Sequence, residues 1–335
     1  MSLSPHPPSR DRSKTAIGIA LVLLSAIGLA TQNIISRIFF VAESLFTQVE
    51  LGGWVAPQIS NIVMLLAIRM ALMAVLLTAV SPLLYSKTFT AIQQLSKNFK
   101  LLGAVLGSGL CLFVGLTSLY FALSQISAGV AIAIFFIYPA ITVLLAWRFL
   151  RQRPRSYQLI LMLIILSGVA LTTLSRGSNL ALNPETSPTS SILCALLAGL
   201  SFGFYGIFSE IALQTQASLH PVPFSLVTFA VVSLASSLSL TVMPAIDVAP
   251  AAWRPVLLMT LVSALVTVVA YVLNNFGVRY IGASLTALIS GSTPALTALL
   301  AWIALQETLQ LQQIVGVGIV TIAVAALSLK AKQNS

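Results

Sequence analysis

The chain has 335 residues, 58% of them hydrophobic and only 7% charged, with a net charge of +10. A soluble domain carries roughly 25% charged residues, so this balance excludes a water-soluble particle. The basic excess does not indicate nucleic acid, because the cations sit in short connections between apolar blocks, where cytoplasmic Lys and Arg belong.

Residues 1–14 contain Pro5, Pro7, Pro8, Arg10, Arg12 and Lys14, and this composition predicts a disordered tail. Ten apolar blocks of about 20 residues follow, the length that crosses a hydrocarbon core of ~30 Å. They predict helical spans over 15–39, 60–83, 101–123, 128–148, 156–175, 190–212, 223–244, 256–278, 283–304 and 311–330. The first run is too long for a signal-peptide core. A β-barrel would instead alternate apolar and polar residues over about ten positions. The connections Ser124–Ser127 and Arg279–Gly282 are tight enough to make their flanking helices antiparallel neighbours. The longest connections are Val41–Ile59 and Arg176–Thr189. The second contains Asn183-Pro184-Glu185-Thr186-Ser187-Pro188 and marks a boundary between two halves.

Those halves repeat each other. Pro139-Ala140-Ile141-Thr142-Val143-Leu144-Leu145-Ala146-Trp147 returns as Pro294-Ala295-Leu296-Thr297-Ala298-Leu299-Leu300-Ala301-Trp302, 155 residues later. The same register pairs Phe121 with Phe276 and Gln158 with Gln313. An apolar chain matches Leu with Leu cheaply, but not a Pro and a Trp at fixed spacing. The fold class is therefore all-α and polytopic, with ten transmembrane helices as two five-helix repeats, 15–175 and 190–330. Residues 176–189 join the repeats and 331–335 form a cytoplasmic tail.

With the N-terminus in the cytoplasm, thirteen of the 17 Lys and Arg residues fall on the cytoplasmic side. Both termini are then cytoplasmic, in a bacterial-type plasma (inner) membrane. An odd number of helices per repeat turns the second copy upside down. The charges follow: Trp147 precedes Arg148, Arg151, Arg153 and Arg155, whereas Trp302 precedes Gln306-Glu307-Thr308-Leu309-Gln310. That is the pattern of an inverted-repeat transporter.

Pro139 and Pro294 are expected near the middle of the fourth and ninth spans, leaving the carbonyls of Phe135 and Ser290 short of a partner. Such carbonyls are tolerated in hydrocarbon against protein or a wet cavity. Beside the prolines, Phe135-Phe136-Ile137-Tyr138 is bulky and Ser290-Gly291-Ser292-Thr293 is small and hydroxylated. A cavity walled by both suits an organic solute with an apolar and a polar part. The substrate-binding candidates are Gln32, Asn33, Tyr120, Tyr138, Pro139, Ser201, Tyr205, Tyr271, Asn274, Ser292, Thr293 and Pro294. The alternative for each hydroxyl is an interhelical hydrogen bond, and the glycines, including Gly103, Gly107 and Gly115, read as close-packing contacts. Arg69, an ionisable residue inside a span, and Glu210, near the cytoplasmic end of the sixth, are candidates for gating or coupling. Arg37 reads as interfacial. Cys111 and Cys194 lie in apolar blocks and read as packing residues, His6 and His220 lie outside the spans, and no metal or cofactor spacing is present.

These features resemble the drug/metabolite transporter superfamily, EamA type. The resemblance rests on the Pro-x-x-Thr-x-Leu-Leu-Ala-Trp segments, on Ala30-Thr31-Gln32-Asn33-Ile34-Ile35-Ser36-Arg37, on Ala67-Ile68-Arg69-Met70, and on the acidic turn Leu305-Gln306-Glu307. The first copy departs from the pattern, with Gln152 where an acid is expected and a long Val41–Ile59 insertion. The resemblance implies a plasma-membrane carrier of small organic metabolites or drug-like solutes, often an exporter, with a coupled proton or ion among its partners. It leaves substrate and oligomeric state open. No nucleotide-binding Gly-x-x-x-x-Gly-Lys-[Ser/Thr] run exists, so energy must come from a solute or ion gradient. The competing readings are an intramembrane enzyme acting on lipid or peptide, which would need paired acids, a Ser with a base or a metal cluster, and a non-transporting scaffold.

Overall fold

The computed structural model describes residues 12–40, 42–45, 49–56, 58–125, 134–174, 188–214, 218–304 and 311–333. Twelve helices are bounded there: α1 Arg12–Phe40, α2 Ile59–Leu84, α3 Thr88–Leu95, α4 Phe99–Gln125, α5 Tyr138–Leu150, α6 Ser156–Leu174, α7 Pro188–Gln214, α8 Pro221–Leu240, α9 Trp253–Ile281, α10 Ala283–Ser290, α11 Thr293–Ala304 and α12 Leu311–Gln333. Eight helical stretches are long and apolar enough to cross a membrane, and Tyr138–Leu150 and Ser156–Leu171 are shorter apolar helices. Large apolar side chains such as Leu24, Val75, Leu163, Leu234 and Ile322 lie exposed on the outside of the bundle. In water they would be a liability, whereas a bilayer covers them.

Several boundaries move from their expected places. Helix α1 begins at Arg12, inside the segment expected to be a tail, and α12 runs to Gln333. The long connection after α1 holds two strands, β1 Ala42–Leu45 and β2 Val49–Gly52, paired antiparallel with Ala42 opposite Gly52. Backbone bonds from Gly53 N–H to the Ile38 carbonyl (3.0 Å) and from Val55 N–H to that of Phe39 (3.1 Å) tie the hairpin to the end of α1. Between α2 and α4 the chain forms the short helix α3, with Leu95 buried and Phe89 exposed. The remainder of the expected tail and the inter-repeat loop 175–187 lie outside the described residues.

The expectation of prolines inside continuous helices is corrected. Residues 134–135 are helical, Phe136 and Ile137 turn, and α5 starts afresh with Pro139 in its first turn. In the other copy Gly291 and Ser292 turn between α10 and α11, and Pro294 again lies in a first turn. A proline is well placed there, because the N–H it lacks would have no helical partner. The fourth and ninth spans are thus broken rather than kinked. The Phe135 carbonyl is packed on Gly199 of α7, where an added Cβ would come within 3.0 Å.

Four pairings are the most extensive: α4 with α7, α1 with α9, α2 with α8 and α6 with α12. Glycines set the close approach in α1–α9. Gly18 meets Ile281, Gly277 meets Val22 and Gly28 meets Ala270, so the two helices are antiparallel. Gly107 and Gly115 receive Phe208 and Phe202 of α7, but Gly103 has nothing within 4 Å of its Cβ position and is not a packing contact. This antiparallel order defines two ends. The terminal end carries the start of α1 and the end of α9, and the hairpin end carries β1–β2.

Candidate functional site

At the hairpin end a narrow, open cleft lies between α1, α2, α4 and α9. Its lining is Ser36, Phe39, Phe40, Ile62, Leu65, Leu66, Arg69, Tyr120, Thr260 and Ser263. Arg69 is 7% exposed. Its side chain does not reach out to the interface: Nη2 donates to the Tyr120 hydroxyl (3.0 Å), the guanidinium lies 5.7 Å from the Tyr120 ring centroid, and Nε–H has no partner.

Beside the cleft, Gln32 joins α1 to α9. Its Oε1 accepts from Ser263 (2.6 Å) and Thr267 (2.8 Å), and its Nε2 donates to Ser36 (2.8 Å). Ser263 and Thr267 are one helical turn apart, so both hydroxyls face the same acceptor. Asn33, the next residue, donates to Thr297 of α11 (3.1 Å). It lies on the face of α1 that carries the buried Val22 and Ala26, yet it is exposed. Space therefore opens between the helices at that level.

Deeper, the hydroxyls engage one another. Tyr271 lies within electrostatic range of Tyr205, Tyr120, Arg69 and Tyr138. Tyr205 donates to Asn275 Oδ1 (3.1 Å), whose Nδ2 donates to Ser225 (2.8 Å). Tyr138 lies beside Ser290, which donates to Asn274 Oδ1 (3.4 Å). The aromatic segment of one broken span and the hydroxylated segment of the other thus meet through Tyr138 and Ser290. Phe135 and Tyr138 pack against Phe202 of α7, the Phe135–Phe202 pair edge-on with centroids 4.9 Å apart, and Phe136 packs on Phe135 and Tyr138. Ser292 donates to the Ile289 carbonyl (2.8 Å), and the Thr293 carbonyl accepts from Thr297 (2.9 Å). Pro139, Pro294 and Ser201 are buried.

At the terminal end Glu210, Gln214 and His220 are each engaged, whereas Arg279 Nη1 and Thr15 Oγ1 are buried without a hydrogen-bond partner among the described residues. Arg151 (φ 56°) ends α5 in a left-handed turn, and its N–H and that of Gln152 return to the Ala146 carbonyl. This turn aims Gln152 at Glu210, which is 2% exposed. Glu210 Oε1 accepts from Gln152, and Oε2 accepts from the Ala283 N–H (2.6 Å), the first residue of α10. A carboxylate at a helix N-terminus satisfies an otherwise orphaned donor and suits the helix dipole. Gln214 donates to the carbonyls of Val278 and Arg279 (3.2 Å to the latter). His220 caps α8 through Nδ1, accepting from Val222 N–H (3.3 Å), and stacks on Tyr85 at 4.1 Å. Burial and the nearby Arg279 charge push its pKa down to about 4.

The cleft therefore includes two of the expected residues, Tyr120 and Arg69, and adds Ser36, Ser263 and Thr260. Glu210 lies at the opposite end. The side chain of Arg37 lies outside the described residues. Cys111 and Cys194 are free thiols. Among the described residues no group of three His, Cys, Asp or Glu could hold a metal ion.

The sequence profile of the EamA-like transporter family matches residues 16–174 and again residues 189–329. An uncharacterized transporter of Synechocystis sp. is 34% identical over 316 residues, covering 93% of each chain. A crystal structure of a protein at 18% identity superposes with a TM-score of 0.67, covering 96% of this chain and 97% of that one, a likeness of fold alone. With a family match across both halves and a full-length relative, the chain belongs to the EamA-like transporter family of the drug/metabolite transporter superfamily and is an integral membrane transporter.

Proposed function

We propose that the protein is a secondary carrier, not an enzyme, that moves a small organic solute across the plasma membrane by alternating access. Its two units are inverted five-helix repeats, 15–175 and 190–330, with both termini cytoplasmic. The hairpin end then faces outward. Export is the direction that the family resemblance implies.

One observation carries this reading: the helix pairings are symmetric under exchange of the halves. Number the spans one to ten by taking the broken pieces together. The pairing of spans one and eight (α1–α9) then maps onto six and three (α7–α4) when each number moves by five. Two with seven (α2–α8) and five with ten (α6–α12) map onto themselves. Four with six (α5–α7) maps onto nine with one (α10 and α11 with α1). The duplicated tryptophans match too, Trp147 being 51% exposed and Trp302 52%. An architecture of this kind has two equivalent ways to pack, and rocking between them opens a central path to alternate sides.

Counterflow in proteoliposomes tests the reading, with amino acids, nucleosides and amphiphilic drugs as solutes. Internal unlabelled solute should accelerate entry of the labelled species. A folded protein that moves none of them overturns the proposal. The topology has its own check: cysteines placed at Arg153 and Gln310 should label from opposite faces of the membrane.

A further inference from the structure

We infer that the hairpin-end cleft binds a small organic acid, with Arg69 holding its anionic group and Phe39, Ile62 and Leu66 facing its apolar body. This rests on the carrier reading above and names the class of its substrate.

Arg69 lies on α2 among Leu65, Leu66, Met70 and Met73, all buried. A cation so placed is strongly disfavoured unless something of opposite charge answers it. Among the described residues its hydrogen-bond partner is the Tyr120 hydroxyl. The carboxylates with described side chains are engaged or distant. Glu210 is at the far end, bound to Gln152 and the start of α10. Asp247 is exposed in the α8–α9 connection, where its backbone holds Asn61, about 12 Å along α2 from Arg69 at 1.5 Å per residue.

Two of the cleft hydroxyls give their protons elsewhere, while those of Ser36 and Tyr120 accept from Gln32 and Arg69 and keep their protons for the same anion. Ser263 gives its proton to Gln32 and Thr260 gives its own to the Val256 carbonyl (2.7 Å). Arg69 is the charged donor among the residues that line the cleft. Its Nε–H, buried and without a partner among the described residues, and Nη2 form the guanidinium edge that pairs with a carboxylate or a phosphate monoester when the cleft opens to admit one. The walls are mostly apolar, as the body of an organic acid requires.

The test uses the full chain in nanodiscs of zwitterionic phosphatidylcholine. Benzoate, hexanoate, N-acetylphenylalanine and phenyl phosphate are each compared with a neutral amide or ester of the same shape. At least one acid should raise the melting temperature in a concentration-dependent way while its neutral partner does not. Arg69→Gln should weaken that acid about 10- to 100-fold, and Arg69→Lys should keep the preference for acid over neutral partner at reduced affinity. The inference is overturned if no acid outbinds its neutral partner, or if Arg69→Gln keeps the preference. It also falls if phosphatidylglycerol in the nanodisc abolishes the shift, which assigns the cleft to a lipid headgroup. Counterflow separates the two proposals. Flux untouched by Arg69→Gln discards the acid site and keeps the carrier, whereas Arg69-dependent binding without flux keeps the site and discards the carrier.

Discussion

Glu210 at one end of the bundle and Arg69 at the other treat a buried charge in opposite ways. At the terminal end Glu210 accepts from Gln152 and from the first N–H of α10. At the hairpin end Arg69 keeps a donor without a partner beside an open cleft. Folding alone favours satisfying both, since an unpaired buried polar group is costly and native structures hold few of them. Under the two proposals above, the satisfied Glu210 acts as a latch and the unsatisfied Arg69 as part of a receptor. In the alternating-access reading, the Glu210 contact is what must release when the other end closes.

The largest expected effect comes from making the latched end resemble the open one. Glu210→Ala leaves the α10 N-terminus and Gln152 unanswered and should destabilise the protein by about 3 kcal/mol. Glu210→Gln retains an acceptor and should cost less. Thermal denaturation in detergent measures both. With Cys111 and Cys194 replaced by serine, Ala283→Cys should react with maleimide in the Glu210→Ala background and resist it when Glu210 is present. Equal labelling in the two backgrounds breaks the comparison.

Glycines give the next contrast. At Gly28 an added Cβ meets Ala270 Cβ at 2.9 Å, and no rotamer change can relieve a methyl against a methyl. Gly28→Ala should therefore destabilise by about 1–3 kcal/mol through forced separation of α1 and α9. At Gly103 nothing lies within 4 Å. Gly103→Ala should stabilise α4 by roughly 0.5–1 kcal/mol through lost backbone freedom in the unfolded chain. Opposite signs in the melting temperatures are the expected result.

His220 tests the terminal end by pH. Its folded pKa, about 4, is below its ordinary 6.5, because burial and Arg279 disfavour the imidazolium. The unfolded chain takes up this proton first, so the group's contribution to stability is full above pH 6.5 and is lost as pH falls toward 4. The groups around it are Arg279, Tyr85 and Phe276. His220→Asn keeps a capping side chain and should flatten that part of the melting-temperature profile.

The sequence carries the large-scale order better than the local breaks. The Pro and Trp repeat was legible because both residues are scarce and their spacing is rigid. The breaks at Phe136–Ile137 and Gly291–Ser292 were readable in principle, since a proline lacks the N–H that would bond the preceding turn and its ring clashes with the carbonyl four residues back. Apolar continuity across 128–148 and 283–304 outweighed that local signal. Helix α3 has Phe89, Ile92 and Leu95 at intervals of three, a faint amphipathic mark inside a connection. Arg69 stood out as a charge in an apolar run and Gln32 as an uncommon amide. Ser36, Ser263 and Thr267 did not, because a single hydroxyl is ordinary in a membrane helix until a partner on another helix faces it. Gln152 was visible only as a departure from the family's acid. Its meaning came from Glu210, 58 residues away, whose carboxylate would repel a second one.

The smallest effect concerns the turn that delivers Gln152. Arg151 sits at φ 56°, a region that a side chain bearing Cβ enters at a penalty of about 1 kcal/mol and glycine enters freely. Arg151→Gly should therefore raise stability by roughly 0.5–1 kcal/mol, with the Ala146 carbonyl still holding both returning N–H groups. The side chain of Arg151 is exposed and takes no part in the Glu210 contact. Labelling of Ala283→Cys should accordingly stay as low as with Arg151 in place. If labelling rises, the glycine has loosened the turn, and Gln152 reaches Glu210 only because the strained backbone holds it there.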